Sequence, residues 1–275
     1  MARIALFQSR TGIEPKDNAQ TLVGAIDEAA AGGAAMLFTP EMSGLLDRDA
    51  ARAADKLRSE EDDEVLAACR EAASQHGLWL HIGSLAVRTE GGKLGNRGLL
   101  INPAGDVRAR YDKMHLFDVD LPTGESWRES SVYRAGDGAV VVDGTPAGRL
   151  GLVICYDLRF PALFERLSEA GAETIAVPAA FTVPTGRAHW EVLLRARAIE
   201  AQAFVVAAAQ AGRHEDGRET YGHSLVVGPW GDVLLDMKDS VGVGFAEIDL
   251  AQVDEVRQRV PALQHRRAIP PAAVN

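Results

Sequence analysis

The sequence predicts a layered α/β domain. Short apolar runs alternate with helix-period stretches along the whole chain. The two kinds of segment are not segregated into separate regions. No linker and no repeat of about 20–50 residues interrupts them. At 275 residues the chain lies near the upper end of a single domain, so residues 1–275 are expected to form one unit with a large core.

Taken in order, residues 4–7 read as a strand and 18–31 as a helix closed by Gly32-Gly33. Residues 35–38 read as a strand that stops at Thr39-Pro40. Residues 62–76 form a helix, acidic at its start, with Gly77 past its end. A strand follows at 78–87. Gly91-Gly92 and Gly95-Asn96 read as hairpin punctuation before a strand at 98–102. The turn 103–106 leads to a strand at 107–111. In the second half, strands at 140–142 and 149–154 flank a turn at 143–146. Pro161 opens a helix over 161–170. A strand at 174–177, a helix at 190–202 and strands at 203–209, 223–227, 233–236 and 243–248 follow, and a short helix at 252–260 closes the pattern.

Composition excludes several function classes. Hydrophobic residues make up 47% and charged residues 25%, which is ordinary for a globular protein. A net charge of −10 without a Lys/Arg-rich block argues against nucleic acid and anionic membranes as partners, though a local basic pocket stays open. Two cysteines, Cys69 and Cys155, make no disulfide framework and suit a reducing cytoplasm. The N-terminal MARIALFQSR lacks the apolar stretch and cleavage site of a leader. No apolar run reaches the ~18 residues of a membrane span. No Cys/His/carboxylate cluster has metal-ligand spacing. Gly242-Val243-Gly244 lacks the third glycine and following helix of a dinucleotide loop. No cofactor is expected.

The chemistry gathers at strand ends. The apolar run 149–154 leads straight into Cys155, then into polar residues and the helix at Pro161. Ligands in open α/β sheets collect outside strand C-termini, and a thiol near a helix N-terminus is expected to gain thiolate character. Position alone leaves Cys155 balanced between nucleophile and small buried hydrophobe. Cys69 shares a helical stripe with Val65, Leu66 and Ala73 and reads as core. A nucleophilic cysteine needs a base and an oxyanion donor. Glu41 follows the strand 35–38 and Lys113 follows the strand 107–111, so three strand ends carry three complementary groups. A Cys–His hydrolase would need one of seven histidines beside Cys155, and no signature selects one; His115 reads as a supporting or core residue.

The segments Phe38-Thr39-Pro40-Glu41, Tyr111-Asp112-Lys113-Met114-His115 and Gly151-Leu152-Val153-Ile154-Cys155-Tyr156-Asp157-Leu158-Arg159-Phe160-Pro161 resemble the three signatures of the nitrilase superfamily of carbon–nitrogen hydrolases, in the family's Glu, Lys, Cys order. The resemblance implies a four-layer α-β-β-α sandwich assembled as a homodimer or higher homo-oligomer. It implies that Glu41 takes the thiol proton, that Cys155 attacks an amide carbonyl, and that Lys113 and the backbone N–H of Tyr156 hold the oxyanion. Ammonia would leave, and water activated by Glu41 would release the acid. A second glutamate often stands between lysine and cysteine in this family; Glu129 matches that place better than Glu125.

Segments 188–200, 205–214 and 221–224, with Gln264-His265-Arg266-Arg267, are similar to the Nit-type amidase branch. They look more like deaminated-glutathione amidases than ω-amidases acting on 2-oxoglutaramate or succinamate. The substrate implied is a small carboxylate-bearing amide, so the pocket should hold a cation. Arg159 is the candidate, against the alternative of a salt-bridged residue at the helix entry. Phe181 and Thr185, past the exit of the strand 174–177, are expected to line the same mouth. Arg195 and Arg197 read as ion-pair formers with Glu191 and Glu200. The reading from another class is a non-catalytic binding or regulatory subunit that kept the fold.

Overall fold

Most strands of this chain are apolar at successive positions, the pattern of strands buried on both faces. The computed structural model describes residues 1–120, 124 and 126–274, so the Glu125 alternative lies outside the described residues. A first sheet is built from β1 (Ala2–Gln8), β2 (Met36–Phe38), β3 (Trp79–Arg88), β4 (Leu94–Ile101) and β5 (Val107–Asp112). A second is built from β6 (Val140–Thr145), β7 (Gly148–Leu152), β8 (Thr174–Ala176), β9 (Phe204–Ala207), β10 (Leu225–Val227) and β11 (Val233–Asp236). The last strand, β12 (Gly242–Ile248), returns to the first sheet and pairs antiparallel with β1. The orders are β12-β1-β2-β3-β4-β5 and β11-β10-β9-β8-β7-β6.

Side-chain alternation makes the layers. Ala5 and Phe7 pack with Leu22, Ile26 and Leu66 of α1 (Pro15–Ala31) and α3 (Glu64–His76). Ile4 and Leu6 point the other way, into a core shared with Leu150, Leu152, Phe204 and Val206 of the second sheet. From the second sheet, Val205 and Ala207 face α4 (Pro161–Glu169) and α5 (Val183–Ala201). The result is helix, sheet, sheet, helix, the four-layer sandwich. Each buried aliphatic side chain adds roughly 1.5–3 kcal/mol. A one-residue register slip in β1 would swap its two buried faces, which is why both patterns fix the register.

The structure departs from the sequence expectations in particular places. Gly95 and Asn96 lie inside β4; the turn is at Gly91-Gly92, whose φ values of +88° and +86° require glycine. α5 begins at Val183, ahead of the expected 190. Pro184 is tolerated in its first turn, and Gly186, which looks like a breaker, lies against the Tyr221 ring, where a Cβ would come within 2.2 Å. Short elements without strong periodicity were not foreseen: α2 (Ala50–Ala54), capped by the Asp49 carboxylate, and the hairpin strands Asp118–Asp120 with Ser126–Arg128 and Ala211–Arg213 with Glu219–Tyr221. Cys69 is fully buried in the core on α3, as its stripe implies. Arg195 and Arg197 pair with Glu191 and Glu200.

Candidate active site

Glu41 and Lys113 leave the ends of β2 and β5, and Cys155 follows β7 from the other sheet. All three line one cavity of about 590 Å³, within the usual size range for small-molecule sites. Thr39 O and Pro40 O come so close to Gly83 of β3 that a Cβ there would lie 2.1 and 2.5 Å away; this seats the segment carrying Glu41.

Lys113, 2% exposed, donates from Nζ to Glu41 Oε1 at 2.9 Å and to Glu129 Oε2 at 2.9 Å. The Ala180 amide donates to Glu41 Oε2 at 3.0 Å, and the Phe117 amide to Glu129 Oε2 at 2.7 Å. The Cys155 thiol lies against the Glu41 carboxylate. Two carboxylates, one ammonium and one thiol therefore share one largely buried site.

Burial alone would raise the Glu41 carboxyl, but the Lys113 charge and hydrogen bonds from Lys113, Cys155 and Asn96 outweigh it and hold its pKa below the ordinary 4.5. Burial likewise opposes the charge on Lys113, yet Glu129 and Glu41 push its pKa well above the usual range. Burial, then the Glu41 charge, raise the Cys155 thiol well above its ordinary 9.0, only partly opposed by Lys113. This corrects the expectation of a thiolate favoured by a helix N-terminus. Cys155 opens a five-residue 3-10 helix, Cys155–Arg159, three residues past the end of β7, and desolvation beside a carboxylate dominates. The resting pair is thiol and carboxylate.

Cys155 has φ = +50°, a left-handed backbone conformation that costs a non-glycine residue about 1–3 kcal/mol. Its amide donates to Pro178 O at 2.8 Å. Asp157 pins the bend. Its buried carboxylate accepts from Tyr111 Oη at 2.7 Å, Ile154 N at 2.9 Å, His115 N at 2.9 Å and His115 Nδ1 at 2.7 Å. His115 also stacks on Phe160, so it supports the bend. Asp157 thus ties the turn at Cys155 to the segment carrying Lys113. The Tyr156 amide sits at the start of the short helix, among the N–H groups that a helix leaves without an intrahelical acceptor.

Sequence reasoning missed Asn96. This fully buried side chain donates from Nδ2 to Glu41 Oε1 at 3.0 Å and to Glu129 Oε1 at 3.1 Å. Its backbone O accepts from Lys113 N at 2.9 Å. The signal was present, since an amide after an apolar hairpin strand can point inward, but the Gly-Asn pair read as a turn.

Arg159, Phe181 and Thr185 line the same cavity, with Thr185 in the first turn of α5. The Arg159 guanidinium lies 5.5 Å from the Phe181 ring centroid and 6.0 Å from that of Tyr156. It has no carboxylate partner among the described residues, so the salt-bridged alternative is not what the structure shows. Its one polar partner is His189 Nδ1 at 3.3 Å. Among the described residues, no group of three or more His, Cys, Asp or Glu side chains is arranged to hold a metal ion, and no helix is long and apolar enough to cross a membrane.

The sequence matches the carbon–nitrogen hydrolase family over residues 3–258. The chain belongs to that family. It is a hydrolase of carbon–nitrogen bonds other than peptide bonds. A deaminated glutathione amidase from Yersinia enterocolitica is 40% identical over 98% of this chain and 94% of that protein. The crystal structure of the Caenorhabditis elegans NitFhit protein superposes with a TM-score of 0.89 at 40% identity, over 97% of this chain and 65% of that one. An amidase from Nesterenkonia sp. AN1, an E41Q mutant with acrylamide added at its active-site cysteine, gives a TM-score of 0.78 at 26% identity, over 95% of this chain and 99% of that one.

Proposed function

We propose that the protein is a cysteine amidase whose substrate is deaminated glutathione, with Cys155 as nucleophile, Glu41 as base, and Lys113 with the Tyr156 amide as oxyanion donors. The observation that carries the mechanism is the convergence of Cys155, Glu41 and Lys113 on one cavity, with Lys113 Nζ donating to Glu41 Oε1 at 2.9 Å. The thiol proton passes to Glu41 as sulfur attacks the amide carbon. The C–O electrons move onto oxygen beside Lys113 and the Tyr156 N–H, where charge develops in the transition state. Collapse breaks the C–N bond, and Glu41 returns the proton to the leaving nitrogen. Water, deprotonated by Glu41, then cleaves the thioester. Glu129 and Asn96 keep Lys113 and Glu41 in register. The acrylamide adduct of the Nesterenkonia amidase supports the role of the cysteine.

Arg159, Phe181 and Thr185 form the wall proposed to receive the 2-oxo acid end, and the Yersinia relative supports the substrate. The chemistry of that substrate refines one expectation. Its γ-amide nitrogen belongs to a dipeptide, so cysteinylglycine leaves with it; ammonia leaves only from primary amides. The same proposal covers a homodimer or higher homo-oligomer in the cytoplasm, with no nucleic acid or membrane partner and no cofactor. Two free cysteines suit that compartment.

The test compares kcat/KM for deaminated glutathione, 2-oxoglutaramate and succinamate, following release of the acid, with Cys155→Ala as control. Deaminated glutathione should lead. Turnover of 2-oxoglutaramate a hundredfold faster would make the protein an ω-amidase. No turnover of any short amide, with an intact Cys155 thiol, would favour the non-catalytic reading.

A further inference from the structure

The cavity does not end at the catalytic groups. Past Glu41 it opens into an apolar chamber whose wall includes Met42, Leu45, Ala53, Leu57, Ala86 and Leu94. Leu45, Ala53, Leu57 and Ala86 form a small cluster of their own, separate from the three large cores, with Met42, Leu94 and Tyr133 against it. The chamber is therefore built by α2, its flanking segments and the β3–β4 hairpin, none of which the acyl wall at Arg159 uses.

Two cations, Arg88 and Lys93, stand at the outer end of this chamber, on the two arms of the hairpin. Neither has a carboxylate partner among the described residues. Arg88 donates from Nε and Nη2 to the carbonyls of Leu57 and Ala54, and Lys93 donates to Ser130 O. In a chain of net charge −10, two cations at one cavity mouth with only carbonyls as partners are an anion-receiving arrangement. Of the carboxylates that line the cavity, Asp47 pairs with Arg52, and Glu41 and Glu129 pair with Lys113. Glu219 also lines the cavity, on the segment that pairs across from Arg213.

The direction of the reaction says which part of a substrate lies here. Glu41 must hand its proton to the departing nitrogen, so the leaving group lies on the Glu41 side. Met42, next to Glu41 in the chain, and Leu45, four positions on, line the cavity with it. Resting on the amidase reading above, we propose that this chamber is the leaving-group subsite. It takes an amine with an apolar body and a terminal carboxylate, the body against Met42, Leu45 and Ala53 and the carboxylate at Arg88 and Lys93.

Calorimetric titration of the wild-type protein with cysteinylglycine, and with its C-terminal amide, tests the subsite without any acyl group. Binding of the dipeptide, at least tenfold weaker for the amide and at least tenfold weaker in Arg88→Ala/Lys93→Ala, supports the proposal. Absence of binding, equal binding of acid and amide, or unchanged binding in the double variant overturns it. Turnover adds a second reading. Ala53→Phe and Ala86→Phe, which fill the chamber at two places, should each lower the ratio of kcat/KM for deaminated glutathione over 2-oxoglutaramate at least tenfold, and an unchanged ratio in both counts against the subsite. If deaminated glutathione is not hydrolysed at all, the substrate reading falls, while dipeptide binding still decides the subsite.

Discussion

Of the two cysteines of this protein, Cys69 is fully buried and Cys155 partly so, and loss of solvent pushes both thiols up, Cys69 to about 12 and Cys155 well above its ordinary range. Neither is a ready thiolate. What separates them is the neighbour. Cys69 sits on α3 among Val65, Leu66 and Ala73, with no base in contact. Cys155 sits at φ = +50° against an ionised carboxylate, beside an ammonium that can receive the charge released on attack. On the proposed mechanism, reactivity depends on a proton acceptor in place, not on a depressed thiol pKa.

The largest expected effect breaks the comparison at its centre. Cys155→Ala should lower turnover by at least about three orders of magnitude with the circular dichroism spectrum unchanged, whereas Cys69→Ala should keep kcat. Residual activity in the first variant would remove Cys155 from the mechanism. Next, Glu41→Gln and Lys113→Ala should each lower kcat by about 10²–10³ or more, since one removes the acceptor and the other an oxyanion donor. Lys113→Ala should also move the acid limb of kcat/KM. In the wild type that limb should lie below the ordinary carboxylate range, because the Lys113 charge lowers the Glu41 pKa. Without the lysine charge, burial raises the Glu41 carboxyl and the limb moves up. A limb that stays put would mean that Glu41 is not the base.

A smaller effect is expected at Asn96, whose Nδ2 bridges the two carboxylates around Lys113. Asn96→Leu should lower kcat/KM by about tenfold to a hundredfold, the loss of one or two hydrogen bonds to charged groups, and should shift the acid limb upward. A change in thermal stability alone, with an unmoved limb, would assign Asn96 to the fold rather than the site. The smallest effect belongs to Cys69→Ala, which should cost about 1–2 kcal/mol of stability, as a small cavity in a packed core does, and is read from denaturant unfolding.

Much of this was legible in the sequence, for local reasons. Glu41, Lys113 and Cys155 each follow an apolar strand, and strand ends are where α/β folds place chemistry. Alternating burial on both faces, as at Ile4 to Phe7, announced strands packed between layers. What the sequence hid depends on approach from afar. Asn96 looked like a turn because its partners, Glu41 and Glu129, are 55 and 33 positions away. The need for glycine at 186 was hidden because the Tyr221 ring that requires it comes from another hairpin. Arg88 and Lys93 carried no signal of their own, because the cavity they line is closed partly by α2, which the sequence did not announce.

The proposed catalytic groups come from both sheets, and this has a consequence for the chain as it is made. Glu41 is synthesised early and Cys155 late, and the amide that steadies Glu41 belongs to Ala180, later still. Until the second sheet has docked on the first, the thiol has no base and the base has no holder. A half-finished or half-folded chain therefore carries the nucleophile in a silent form. The architecture acts as a safety catch, releasing amide-cleaving power only when the last layers close.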